Sequence, residues 1–216
     1  MKYTHIAGRV MSMYEDRVLP HLVNFACSTK PSQKQREKIV PLAWGEVLEV
    51  GFGSGLNLPF YDQQKVYKIW GLEPSDGMRR KALPMVNASG CNVEFINQPA
   101  ESIPLEANSV DTVLVTYSLC TIADVVTALE GMRRVLKPGG SLLYCEHGIA
   151  PDESVCRWQR RLNPFWNRVA GGCNMDRNIP DLLKMGGFGI TVDERMYIPG
   201  LKMLSYNYWG VAEARR

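Results

Sequence analysis

The segment that most constrains this chain is Val47-Leu48-Glu49-Val50-Gly51-Phe52-Gly53-Ser54-Gly55-Leu56-Asn57. A short apolar strand runs into a turn with glycines at 51, 53 and 55, and the pattern predicts a helix opening behind it. Glycine in such a turn accepts positive φ and lets backbone come close to a ligand. The spacing disfavours two common phosphate loops. A dinucleotide fingerprint places a further glycine at 56, where this chain has Leu56. A Walker A loop ends in Gly-Lys-Ser/Thr, which is absent. A nicotinamide-linked enzyme is therefore the weakest reading.

The second constraint is Glu73, closing Trp70-Gly71-Leu72-Glu73, the next apolar strand. An acid at the end of the strand that follows a glycine turn can accept hydrogen bonds from both hydroxyls of an adenosine ribose. Strand and helix signals then alternate. Strands are expected at Glu46 to Val50, Val66 to Leu72, Asn92 to Ile96, Val110 to Thr116 and Ser141 to Cys145. Helices are expected at Ser75 to Val86, with Ser75 as N-cap and Met78, Ala82 and Met85 inward, and at Ile122 to Leu136, broken by Pro138-Gly139-Gly140. Such alternation builds a parallel sheet with helices on both faces.

At 216 residues, with 45% apolar and 22% charged side chains, the chain suits one soluble globular domain. A formal charge of +3 gives no reason to expect nucleic acid. The six cysteines show no C-x-x-C pair, so no metal is expected, and reduced thiols in a cytoplasmic protein are the simplest reading. Neither a signal peptide nor a membrane anchor is expected. The division expected is a helical N-terminal cap at 1–44, a cofactor core at 45–148, and an acceptor-side helix with closing strands at 149–216. A helix over Ser32 to Val40 should show solvent a basic face of Lys34, Arg36 and Lys38. Further helices are expected at Ser154 to Val169 and Ile179 to Met185, then strands near Ile190 to Tyr197 and Leu204 to Ala212. The arginines at 157, 160, 161 and 168 read as a solvated face.

Together these segments resemble the class I S-adenosylmethionine (SAM)-dependent methyltransferases. Glu49 through Asn57 resembles that family's first motif and Glu73 its ribose-binding acid. Ala100-Glu101 with Ser109-Val110-Asp111 resembles the adenine-side loop and fourth strand, and Arg133 through Gly140 resembles the ubiquinone/menaquinone-biosynthesis subgroup. The resemblance implies a Rossmann-like, seven-stranded, mostly parallel α/β sheet. It also implies cofactor contacts at Glu49, Gly51, Phe52, Gly53, Gly55, Asn57, Glu73, Pro74, Ser75, Met78, Gln98, Ala100, Glu101 and Thr116. Many relatives carry an Asp before Ala100; here stands Gln98-Pro99, so Gln98 or the Ala100 backbone is expected to read the adenine.

Thr116 through Cys120, Glu146-His147-Gly148 and Gly172-Cys173-Asn174 resemble the alkyl thiol methyltransferases and their bacterial relatives. That narrower resemblance implies S-methylation of a small thiol, with S-adenosyl-L-homocysteine as the second product. A quinone precursor, phospholipid amine or hydroxyl metabolite is the alternative acceptor, and a non-catalytic SAM-binding protein a further one. On this reading His147 is the candidate base, and Tyr117, Cys120, Cys173, Asn174, Arg177 and Tyr14 are candidate acceptor contacts. The partner is a small molecule, and the protein is a monomer or homodimer.

Overall fold

The structure, a computed structural model, describes residues 27–215. The expected Tyr14 contact and the first part of the expected helical cap, residues 1–26, lie outside the described residues. The elements are α1 (Lys30–Ile39), β1 (Gly45–Val50), β2 (Val66–Leu72), α2 (Asp76–Ser89), β3 (Val93–Ile96), β4 (Val110–Thr116), α3 (Val125–Val135), β5 (Leu136–His147), α4 (Glu153–Val169), α5 (Ile179–Met185), β6 (Phe188–Tyr197) and β7 (Tyr206–Ala214). The strands form one sheet in the order β3-β2-β1-β4-β5-β7-β6. The first five pair in parallel, while β7 runs antiparallel between β5 and β6. Strand order reverses beside β1, where β2 leaves on one side and β4 on the other, and such a switch point leaves a crevice at the carboxyl ends.

Every residue of β4 is buried, as befits a central parallel strand, including its polar Asp111, Thr112 and Thr116. On one face β4 packs with Leu129, Met132 and Val135 of α3 and Ile179 and Leu183 of α5. On the other, Leu114 and Val47 meet Ile39 of α1, Ala82 of α2, Phe52 and Tyr61. Two apolar layers therefore clamp the sheet, which holds its carboxyl edge still.

Several local expectations need correction. No α-helix opens behind the glycine turn. A single 3-10 turn, Leu58–Phe60, stands there instead. Pro59 accounts for it, because proline disfavours the helical region for the residue before it and removes a donor. Pro138-Gly139-Gly140 does not end an element before a separate strand; it is a bulge within β5, with Val110 opposite Leu136 and Thr112 opposite Ser141. The α3 helix starts late, at Val125, because the Asp124 side chain accepts from Thr127 N–H and caps it there. The Ser75 cap stands as expected, accepting from Met78 N–H at 3.3 Å. Arg36 does not face solvent with Lys34 and Lys38; it is buried with Ser32 and Ile39 on the inner side of α1.

Candidate active site

A cleft of about 360 Å³ opens at the carboxyl ends of β1, β2 and β4. Sites of this kind span roughly 300–1,000 Å³. Its floor is the turn Gly51 to Ser54, where Gly51 has φ 73° and Gly53 φ 58°. A Cβ at Gly51 would overlap the Ser118 side chain, so only glycine lets β1 turn against the loop after β4.

Glu73 stands on the adjoining wall, 7% exposed. One carboxylate oxygen accepts from Gly53 N–H and the other from Ser75 N–H, both at 2.9 Å. Burial raises its pKa, and these two donors and Arg79 act against that rise. The carboxylate thus ties the glycine turn to the start of α2 and keeps its remaining lone pairs for a ligand.

Behind the turn lies a second buried carboxylate. Glu49 accepts from Tyr61 O–H at 2.7 Å and from Asn57 Nδ2 at 2.9 Å. Asn57 also donates to Thr116 Oγ1 and accepts from Arg36 Nε at 3.0 Å. Burial pushes Glu49 up to about 7, against the pull of Tyr61, Asn57 and Arg36. Arg36 reaches the cleft from α1, donates to Cys27 O and lies over the Tyr117 ring at 5.0 Å.

Just past the end of β4 comes Tyr117, whose φ of 54° is rare for a residue with a Cβ. Its N–H donates to Cys145 O and its O–H to Asn207 Oδ1 at 2.7 Å, which over-determine that conformation. The next turn is pinned by Glu146, one of whose oxygens accepts from Ser118 N–H at 2.6 Å and Leu119 N–H at 2.9 Å.

Of the expected cofactor contacts, Gly51, Phe52, Gly53, Asn57, Glu73, Pro74, Met78, Ala100, Glu101 and Thr116 line the cleft. Glu49, Gly55 and Ser75 stand behind it, and Gln98 is exposed outside the lining, with Pro99 and Ala100 on it. Tyr117 lines it too. Cys120, His147, Cys173, Asn174 and Arg177 gather in a separate cluster behind Ser118 and Thr121. There Cys173 Sγ lies 3.3 Å from His147 Nε2, while Asn174 Nδ2 donates to Cys120 O at 2.9 Å and Arg177 to Leu119 O. His147 Nε2 faces Cys173, and its Nδ1 is buried without a hydrogen-bond partner among the described residues. Residue reasoning missed Arg36 and Ile122, while Ser118 and Thr121 fall in the expected acceptor-side end of β4. The signal for Arg36 was its spacing from Ser32 and Ile39, which makes one inward helical face.

Residues 48–144 match the family model described as a methyltransferase domain. The chain is 33% identical over 136 residues to thiol S-methyltransferase TMT1B of Rattus norvegicus and 32% identical over 163 residues to that of Homo sapiens. These alignments take in 61% and 73% of this chain and 54% and 65% of the relatives, so the chain spans less than two thirds of their length. It is 30% identical over 138 residues to the ubiquinone/menaquinone biosynthesis C-methyltransferase UbiE of Campylobacter jejuni, covering 64% of this chain and 48% of that one. Among solved structures, the YcgJ protein of Bacillus subtilis superposes with a TM-score of 0.67 at 16% identity over 85% of this chain and 97% of that one. A SAM-dependent methyltransferase of Thermotoga maritima superposes at 0.60 with 21% identity, over 98% and 99%. With its glycine turn, its switch-point cleft and this sheet order, the chain has the Rossmann-like fold of the SAM-dependent methyltransferases, and its residues 48–144 carry the match to the methyltransferase-domain model.

Proposed function

We propose that this protein transfers the methyl group of SAM to a small thiol, giving a thioether and S-adenosyl-L-homocysteine. The observation that carries the cofactor half is Glu73, held at the cleft wall by Gly53 and Ser75 and free to accept further hydrogen bonds. The residues fit that group: the glycine floor admits close backbone approach, Glu73 suits a ribose, and Pro99, Ala100 and Ile122 line the cleft with apolar surface suited to a base. When bound there, SAM supplies an electrophilic methyl on a sulfonium sulfur.

The chain's own part is positional, because in-line displacement asks for aligned reactants and little covalent help. The strained Tyr117 corner and the Glu146-pinned turn fix the end of the cleft where an acceptor enters. Apolar walls exclude water from the reacting atoms. Thiol acceptors place little demand on a base, since part of the thiol is ionised near neutral pH. That relieves His147 of a stand-alone proton-accepting role and leaves it a positioning role in the cluster beside Cys120 and Cys173. The thiol half is supported by the two thiol S-methyltransferase relatives. The relative named for quinone biosynthesis supports an aromatic acceptor as the second reading. Among the described residues no helix is long and apolar enough to cross a membrane, and all six cysteines are free, which fits a reducing, cytoplasmic setting.

The test is release of S-adenosylhomocysteine by the purified chain with SAM and separate acceptors: sulfide, methanethiol, a longer alkyl thiol, a catechol and phosphatidylethanolamine vesicles. Turnover on the thiols, indifferent to vesicles, is expected. Turnover confined to the catechol or the vesicles would discard the thiol assignment.

A further inference from the structure

The cluster behind the cleft has a composition that methyl transfer does not call for. Cys120 Sγ, His147 Nε2 and Cys173 Sγ all lie within 4.8 Å of one another, and Cys173 Sγ to His147 Nε2 is 3.3 Å. Around a tetrahedral ion with Zn–S about 2.3 Å and Zn–N about 2.05 Å, S···S edges are about 3.8 Å and S···N edges about 3.6 Å. The triad is therefore within about 1 Å of a ligand face before any ion draws it together.

Three segments deliver the ligands; those carrying Cys120 and Cys173 are held from behind by hydrogen bonds, whereas His147 is placed by the end of β5, its Nδ1 having no partner among the described residues. Cys120 sits on the turn pinned by Glu146. Its carbonyl accepts from both the backbone N–H and the side chain of Asn174, each at 2.9 Å, which ties it to the segment carrying Cys173. Asn163 and Asn167 of α4 in turn donate to Asn174 Oδ1. Positioning of ligands by outer hydrogen bonds is how metal sites set their geometry. His147 and Cys173 are half-buried, so an ion has a way in, whereas Cys120 is buried.

We infer that Cys120, His147 and Cys173 bind a soft divalent ion of the zinc class, with one coordination position left to a thiolate. Two thiolates and an imidazole select such an ion over magnesium or calcium. Three protein ligands with a fourth position open is the arrangement of catalytic rather than structural zinc. Thr121 Oγ1 stands 3.4 Å from Cys120 Sγ and Thr121 itself lines the cleft, so the site adjoins the cleft's far end. The use of the fourth position rests on the proposed thiol methylation; the ion site does not. In that use the acceptor thiol loses its proton to solvent on coordination. A sulfur lone pair then forms the new S–CH3 bond, and the old bond breaks with its electron pair staying on the departing sulfur. The ion is neither oxidised nor consumed.

The experiment uses the full chain, purified without chelator from zinc-supplemented cells, and then stripped and titrated with Co(II). Expected are about one zinc per chain and a near-ultraviolet sulfur-to-cobalt charge-transfer band with tetrahedral visible bands. Cys173→Ser should weaken that band and Cys91→Ser should leave it unchanged. Methanethiol should shift it, and stripping should lower kcat/KM for thiols at least about tenfold. A folded wild-type chain with no zinc and no charge-transfer band would falsify the ion site outright, whatever the variants do. A band that methanethiol does not move, or full thiol turnover by stripped protein, overturns the role of the fourth position. Zinc binding without thiol turnover on any acceptor leaves the ion site standing and sinks the methylation reading instead.

Discussion

On the proposed reading, Glu73 concentrates the cofactor contacts in one side chain. It is the cleft's buried carboxylate, and its two backbone donors come from both flanking elements. Hydrogen bonds to a charged group contribute about 1.5–3 kcal/mol each. Glu73→Ala should therefore weaken S-adenosylhomocysteine binding by about 10- to 100-fold in calorimetry, with the circular dichroism unchanged. Unaltered affinity would remove Glu73 from the site. Glu49 plays the opposite part, since it carries charge that burial disfavours. Its native pKa is about 7, against an ordinary 4.5. As pH rises from 4.5 to about 7 the unfolded chain releases this proton first, so stability falls across that window and levels off above it. The contribution is at most roughly 3 kcal/mol. Urea unfolding between pH 5 and 8 should show that decline in the wild type and a flatter profile in Glu49→Gln; parallel profiles would contradict the assignment. At this scale the sequence was informative where chemistry is local. The glycines and Glu73 announced themselves. Arg36 did not, because its burial depends on a neighbour, Asn57, that the chain reaches only after folding.

Among the elements, α4 shows how one side chain docks a helix. Gln159 is fully buried. Its Oε1 accepts from Ala150 N–H at 2.9 Å, and its Nε2 donates to the carbonyls of Gly148, Met175 and Met203 at 2.8–3.0 Å. One residue thus joins the end of β5, the segment after Cys173 and the turn before β7. Gln159→Ala strands a buried donor and several acceptors, and should lower unfolding free energy by about 2–4 kcal/mol. The measurement is the midpoint of denaturant unfolding, and a change under 0.5 kcal/mol would mean that water replaces the amide. The expected helix over Ser154 to Val169 was legible from its spacing, and its four arginines are indeed exposed. Its role as an anchor was not, since a glutamine in a basic helix carries no mark of burial. The 3-10 turn at Leu58–Phe60 was legible in principle, through Pro59.

For the molecule as a whole, cofactor binding should couple to stability. A ligand that binds only the folded state adds about 2.7 kcal/mol at a hundredfold excess over Kd. For a domain of this size that raises Tm by about 5–10 °C. Thermal unfolding with saturating S-adenosylhomocysteine should show that rise in the wild type and little of it in Glu73→Ala. No rise in the wild type would count against the cofactor assignment.

The sequence by itself determined the parallel strands, the glycine turn and the acid at position 73, because each follows from hydrophobic period, backbone freedom or charge within a few residues. The antiparallel return of β7, the inward turn of Arg36 and the meeting of Cys120, His147 and Cys173 were decided only by the tertiary structure. Those three side chains come from the ends of different elements, and no local spacing relates them. The parallel sheet brings its carboxyl ends together, and only there do they become one cluster.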